Sequence, residues 1–144
     1  MANSAAIEHG VTPDLMIPIR SDEDLILARA QGRLMAQALG FGRTEATLVA
    51  TAISELARNI VLYAQSGELT LSRVDGGQRH GICIVASDRG PGIRDTQLAL
   101  RSGYSTSGGL GLGLPGVRRI MDEFSIQSAP GSGTRVRTIR WKQR

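Results

Sequence analysis

Apolar positions in this chain recur first with a helical period and later with a period of two, and that change divides it into elements. Residues 15–20, LMIPIR, read as a strand. Pro18 has no N–H for a central ladder, which assigns the strand to a sheet edge. Ser21 and Asp24 resemble a capping box, and Asp22, Glu23 and Asp24 suit the positive end of a helix. Leu25, Ala28, Leu34, Met35 and Leu39 then mark the core-facing stripe of that helix, which Gly40 ends. A second helix is predicted over 44–64, with Ile53, Leu56, Ile60 and Tyr63 as its apolar stripe and Gly67 as its stop.

Beyond Gly67 the pattern is extended. Residues 68–74 and 81–87 read as strands, and the DGGQ between them carries hairpin chemistry. Short helices are expected over 94–101 and 115–123. Two final strands, 124–129 and 134–141, flank the turn PGSG. The order β-α-α-β-β-α-α-β-β predicts an α+β two-layer sandwich. Its sheet is mixed but mostly antiparallel, and its helices lie on one face. Residues 1–13 are expected to be loosely ordered and 14–144 to form one domain, with no repeat and no linker dividing it.

Composition narrows the class. Of the 144 residues, 41% are hydrophobic but only 3% aromatic, so the core must be aliphatic. No run approaches the roughly 20 apolar residues of a membrane span, and the N-terminus lacks the pattern of a signal peptide. A cytoplasmic protein without membrane contact is expected. Cys83 is the single cysteine, and its setting, HGICIVAS, suggests a buried, inert thiol. The net charge of +4 and pI near 10.2 raise the question of nucleic acid. The basic residues are dispersed, however, with no zinc-type cysteine spacing and no aromatic stacking surface, so no nucleic-acid partner is expected. The densest basic run, 135–144, reads as a solvated last strand. Such a surface suits an acidic protein partner or ATP.

Four stretches carry candidate chemistry. Glu55 and Asn59, in ISELARNIVLYA, are four residues apart and share a helix face at the border of the core. They are a hydrogen-bonded surface pair, or a general base and an oxygen ligand for Mg²⁺. Asp88 opens DRGPG directly after an apolar strand. It makes a turn, or it accepts a hydrogen bond from an adenine amino group, since an ionised carboxylate is acceptor-only. The run 103–116, GYSTSGGLGLGLPG, places Gly108, Gly109, Gly111 and Gly113 before a helix signal. Backbone N–H groups clustered there suit phosphate, while a lid or linker is the plainer reading. GSGT at 131–134 is by itself only a hairpin.

The ordered set ExxxN, DxGxG, GLGLGL and GxGT resembles the N, G1, G2 and G3 boxes of the Bergerat-fold ATP-binding superfamily, which includes gyrase-type ATPases, Hsp90-type chaperones and histidine kinases. ISELARNIVLYA, DRGPGI, GYSTSGGLGLGLPGVRRIMDEFSI and GSGT are most similar to the RsbT-like switch-protein serine kinases of bacterial stress signalling. The resemblance implies a serine kinase using ATP and Mg²⁺. It implies Glu55 as catalytic base, Asn59 as Mg²⁺ ligand, and Asp88 as adenine reader in a pocket shaped by Gly90 and Gly92. It implies Gly108, Gly109, Leu110, Gly111, Leu112 and Gly113 as the ATP lid, and Thr134 as support for the adenine contact. It implies a STAS-domain antagonist as phosphoacceptor and a PP2C-type phosphatase regulator as second partner, and it leaves a homodimer open. The chain has no P-loop motif. Its two histidines, His9 and His80, lie off any candidate phosphoacceptor helix, which argues against histidine-kinase chemistry. The length leaves no room for the further domains of a gyrase or Hsp90 machine. An ATP-gated binding module with little turnover and a direct anti-sigma factor are the alternatives.

Overall fold

The computed structural model describes residues 12–92 and 113–142. Five strands and three helices appear there in the order β1 (Thr12–Ile19), α1 (Asp22–Ala38), α2 (Arg43–Ala64), β2 (Gly67–Asp75), β3 (His80–Asp88), α3 (Gly113–Ile120), β4 (Glu123–Ser128) and β5 (Thr134–Trp141). The helix expected over 94–101 lies outside the described residues. The strands form one sheet in the order β1-β2-β3-β5-β4. Each of its four pairings is antiparallel, so the described sheet is less mixed than expected. β1 sits at an edge, as Pro18 requires.

Local chemistry sets the element ends. Ser21 Oγ accepts from Asp24 N at 3.4 Å. Asp24 Oδ2 reaches back to Arg20 N at 2.9 Å, one residue outside the position that a strict capping box uses. The N–H of Gly40 bonds the Gln37 carbonyl, and its φ of +91° stops α1. α2 leaves its last turn through Gln65, whose φ is +69°. In the hairpin after β2, Asp75 Oδ1 accepts from Gly77 N at 3.0 Å, as the turn chemistry of DGGQ predicts.

Alternation along the strands separates two faces. Leu69, Leu71, Ile82, Ile84, Ala86 and Val136 join the helices in the main core, with Ile53, Leu56 and Ile60 of α2 and Val117 of α3. Val74, Cys83, Val85, Ile139 and Trp141 form a second cluster on the opposite face. Three expectations fail here. Leu34 is 60% exposed. The buried line of α1 is Leu25, Ala28, Gly32 and Ala36. Gly32 has no side chain, so Ile53 enters where a side chain from α1 would otherwise sit. Tyr63, read as core, is half exposed. The last strand is not solvated. β5 lies between β3 and β4, and Arg137 on it is buried. Boundaries also move: β1 begins at Thr12, three residues before Leu15, Glu123 begins β4 instead of ending a helix, and α3 starts at Gly113, two residues before Pro115.

Candidate functional site

α2 is the wall of the site. Glu55, Asn59 and Ala64 lie along its C-terminal half, one turn or slightly more apart. Glu55 is only 3% exposed, so it belongs to the core and not to its border as the spacing had suggested. An isolated carboxylate there would be costly without a donor. Its partner is the backbone of α3: Gly113 N donates to Glu55 Oε2 at 3.1 Å. A carboxylate at the first residue of a helix also meets the positive end of the helix dipole. Asn59 is half-buried one turn on, on the same face.

Asp88 ends β3 next to Thr134, its register partner on β5. Its Oδ1 accepts two backbone bonds, from Gly90 N at 2.9 Å and from Thr134 N at 3.2 Å. Both go to one oxygen, which fixes the carboxylate plane; among the described residues Oδ2 receives none. Gly90 is pressed against the end of α2. A Cβ there would stand 2.6 Å from the Cβ of Ala64 and 3.2 Å from Asp88 Oδ1. Gly133, at φ +76°, passes so close to β3 that a Cβ would overlap the Asp88 carbonyl. Gly92 meets the carbonyl of Ala129 in the same way. The glycines of DRGPG and GSGT thus allow close approach of the protein's own backbone. Gly131 N donates to the Pro91 carbonyl at 2.7 Å and ties the two turns together.

The structure therefore ties Glu55 to Gly113, and Asp88 to Gly90 and Thr134 with Gly90 against Ala64 of α2, while Gly92 meets the neighbouring hairpin and Asn59 follows Glu55 by one turn. Gly108, Gly109, Leu110, Gly111 and Leu112 lie outside the described residues. Sequence reading missed Ser128. Its Oγ lies 2.8 Å from Thr134 Oγ1 and donates to the Gly133 carbonyl at 2.9 Å, bracing the turn that holds Asp88. The available signal was its place opposite Thr134 across the PGSG hairpin. Cys83, on the other sheet face, takes no part. Burial pushes its thiol pKa up, against the opposing pull of Arg137 and Arg135.

Among the described residues no three or more His, Cys, Asp or Glu side chains gather as a metal cage. Asn59 supplies one hard oxygen. That donor set fits Mg²⁺, which takes one or two protein oxygens and completes its shell with phosphates and water.

Residues 44–144 match the family of histidine kinase-, DNA gyrase B- and HSP90-like ATPases. The chain is 48% identical to the serine/threonine-protein kinase RsbT of Bacillus subtilis (strain 168), across 87% of this chain and 94% of that protein. It is 29% identical to an anti-sigma F factor of Thermoanaerobacter sp. (strain X514), across 65% of this chain and 68% of the relative. A chain in the crystal structure of the SiaB–SiaC complex from Pseudomonas aeruginosa shares the fold, with a TM-score of 0.56 at 15% identity, over 96% of this chain and 94% of that one.

Proposed function

Because the chain belongs to the histidine kinase-, DNA gyrase B- and HSP90-like ATPase family, and within it to the RsbT-like serine kinases, we propose that it phosphorylates a serine of a separate partner and thereby switches partners. It is an ATP-using protein kinase of this family. The acceptor is a STAS-domain antagonist, and a PP2C-type phosphatase regulator is the second partner. One observation carries this reading. The C-terminal half of α2 touches the Asp88 turn through Ala64 and the start of α3 through Glu55, so a single helix contacts both of the stretches that this reading assigns to ATP.

Each residue then has a task. Asp88 Oδ2 accepts the adenine amino group, while Gly90 and Thr134 hold Oδ1; a guanine keto oxygen in that place meets only an acceptor. Of the first N–H groups of α3, that of Gly113 is taken by Glu55 and Pro115 has none, so those of Leu114 and Gly116 are left for the phosphates. Asn59 holds Mg²⁺, which when bound neutralises phosphate charge. Glu55 Oε2 is engaged by Gly113, so Oε1 takes the proton of the acceptor serine. As the serine Oγ bonds to the γ-phosphorus, the bond from that phosphorus to the β,γ-bridging oxygen breaks and ADP leaves. Burial of Glu55 also limits competing attack by water.

The test mixes the protein with MgATP and candidate STAS-domain partners and locates phosphate by mass spectrometry. Acid-stable, base-labile phosphate on the partner is expected. Glu55→Gln keeps an acceptor for Gly113 N–H, so nucleotide affinity stays nearly unchanged while the single-turnover rate falls by about 10²–10⁴-fold. Acid-labile phosphate on this chain alone would overturn the reading. A second reading, direct capture of a sigma subunit, draws on the anti-sigma F relatives. A stable sigma complex without phosphate transfer would favour it.

A further inference from the structure

α3 is held against α2 at both of its ends. At its start, Gly113 N donates to Glu55 Oε2 at 3.1 Å. At its finish, Arg140 of β5 donates from Nη1 to the carbonyl of Ile120, the last residue of α3. The same guanidinium turns Nη2 to Glu45 Oε2 at 3.5 Å, in the first turn of α2. The 8 residues of α3 span about 12 Å, and the step from Glu45 to Glu55 is about 15 Å along α2. The short helix therefore lies antiparallel to α2, with one glutamate of α2 serving each end.

Arg140 supplies what the local sequence of α3 lacks. α1 stops at Gly40 and α2 leaves through Gln65, both at positive φ, but neither Met121 nor Asp122 has a positive φ. β4 begins at Glu123, so the chain leaves the helix without a left-handed cap. A last carbonyl in that position needs a donor from elsewhere. A guanidinium there also meets the negative end of the α3 dipole, and Glu45 stands at the positive end of α2. The pair is sheltered, with side chains 16% and 26% exposed, so salt screens it less than a surface pair. Asp122 N bonds the Ile139 carbonyl and Trp141 N bonds Asp122 Oδ2, which ties the chain beyond α3 to β5. The Arg140 contact adds the link onward to α2.

We propose that Arg140 is a positioning residue for the transfer step, an inference that rests on the reading of Glu55 as general base. Val117, fully buried near the middle of α3, is the point on which the helix pivots. Displacement of Ile120 in one direction carries Gly113 in the other. A hydrogen bond of 3.1 Å has little slack, since it is lost by about 3.5 Å. Arg140 thus fixes Ile120, α3 carries that position to Gly113, and Gly113 holds Glu55 Oε2 so that Oε1 is turned to the acceptor serine. Arg140 lies at the end of α3 remote from Glu55 and acts on it only through the helix.

The test compares three variants of the full chain. Arg140→Met keeps the apolar stem and loses both bonds, Arg140→Lys keeps a donor for the Ile120 carbonyl, and Glu45→Gln removes only the ion pair. Amide exchange of Gly113, read by nuclear magnetic resonance, should quicken by about tenfold in Arg140→Met and return toward the parent rate in Arg140→Lys. At saturating MgATP the single-turnover rate should fall by about 10- to 100-fold in Arg140→Met, with a smaller fall in Glu45→Gln and most of the rate kept in Arg140→Lys. In a Glu55→Gln background Arg140→Met should have almost no further effect, because it acts through that carboxylate. A general loss of folding would instead lower both backgrounds alike. Unchanged Gly113 exchange, equal falls with and without Glu55, or an Arg140→Lys variant no better than Arg140→Met would each overturn the proposal. A parent protein without phosphotransfer would overturn the reading of Glu55 as base and the catalytic half of this proposal with it, and Gly113 exchange would then decide whether Arg140 places α3.

Discussion

On the proposed reading, Asp88 divides its two oxygens between structure and recognition. Oδ1 is held by Gly90 N and Thr134 N, and both bonds survive replacement by an amide oxygen. Asp88→Asn should therefore fold normally but turn an amide N–H₂ toward the adenine amino group, donor against donor. Losing a hydrogen bond to a charged group corresponds to a loss in ATP affinity of about 10- to 150-fold, measured by calorimetry. Unchanged ATP affinity, or equal affinity for GTP in the parent protein, would remove Asp88 from base recognition. Glu55 shows the same economy: one oxygen completes a helix end, and the other is available for chemistry.

At the level of elements, the hairpin between β4 and β5 does more than reverse the chain. Its residues Gly131, Gly133 and Thr134, with Ser128 bracing them, hold the loop after β3 in place. Gly133→Ala places a Cβ against the Asp88 carbonyl in a left-handed conformation that alanine resists. Backbone strain and overpacking together predict a loss of about 2–4 kcal/mol by urea unfolding. Nucleotide binding should weaken as well, because Asp88 is displaced. A variant with parental stability would mean that the turn yields at little cost. α1 teaches a different lesson: its stripe was read correctly as apolar, but Gly32 decided which of two apolar sides faces inward.

Across the whole molecule, the sheet has a cluster on each face, and Cys83 lies in the smaller one. Its pKa is raised above the ordinary 9.0 by burial. The unfolded chain therefore loses this proton before the folded chain does. Folding stability from this group is fully present below pH 9 and is lost as pH rises toward the folded pKa. Cys83→Ala should flatten the alkaline fall of the unfolding midpoint, and the thiol of the parent should resist Ellman's reagent until unfolding. Rapid reaction under native conditions would contradict this.

Among the described residues, the sequence by itself determined the elements, the edge position of β1, the turn chemistry and, by motif order, the family, because those depend on local conformational preference and on the order of the motifs. It placed Glu55, Asn59, Asp88 and Thr134 in a common site only through resemblance. Tertiary structure decided what periodicity leaves open. A hydrophobic stripe does not say which side is covered, so Leu34 and Tyr63 emerged exposed while Gly32 and Glu55 went inside. A basic strand does not state its sheet position, so β5 became an inner strand with Arg137 buried. Burial depends on neighbours distant in sequence. Gly113 lies 58 residues from Glu55, and only the packing of α3 against α2 brings its N–H to that carboxylate.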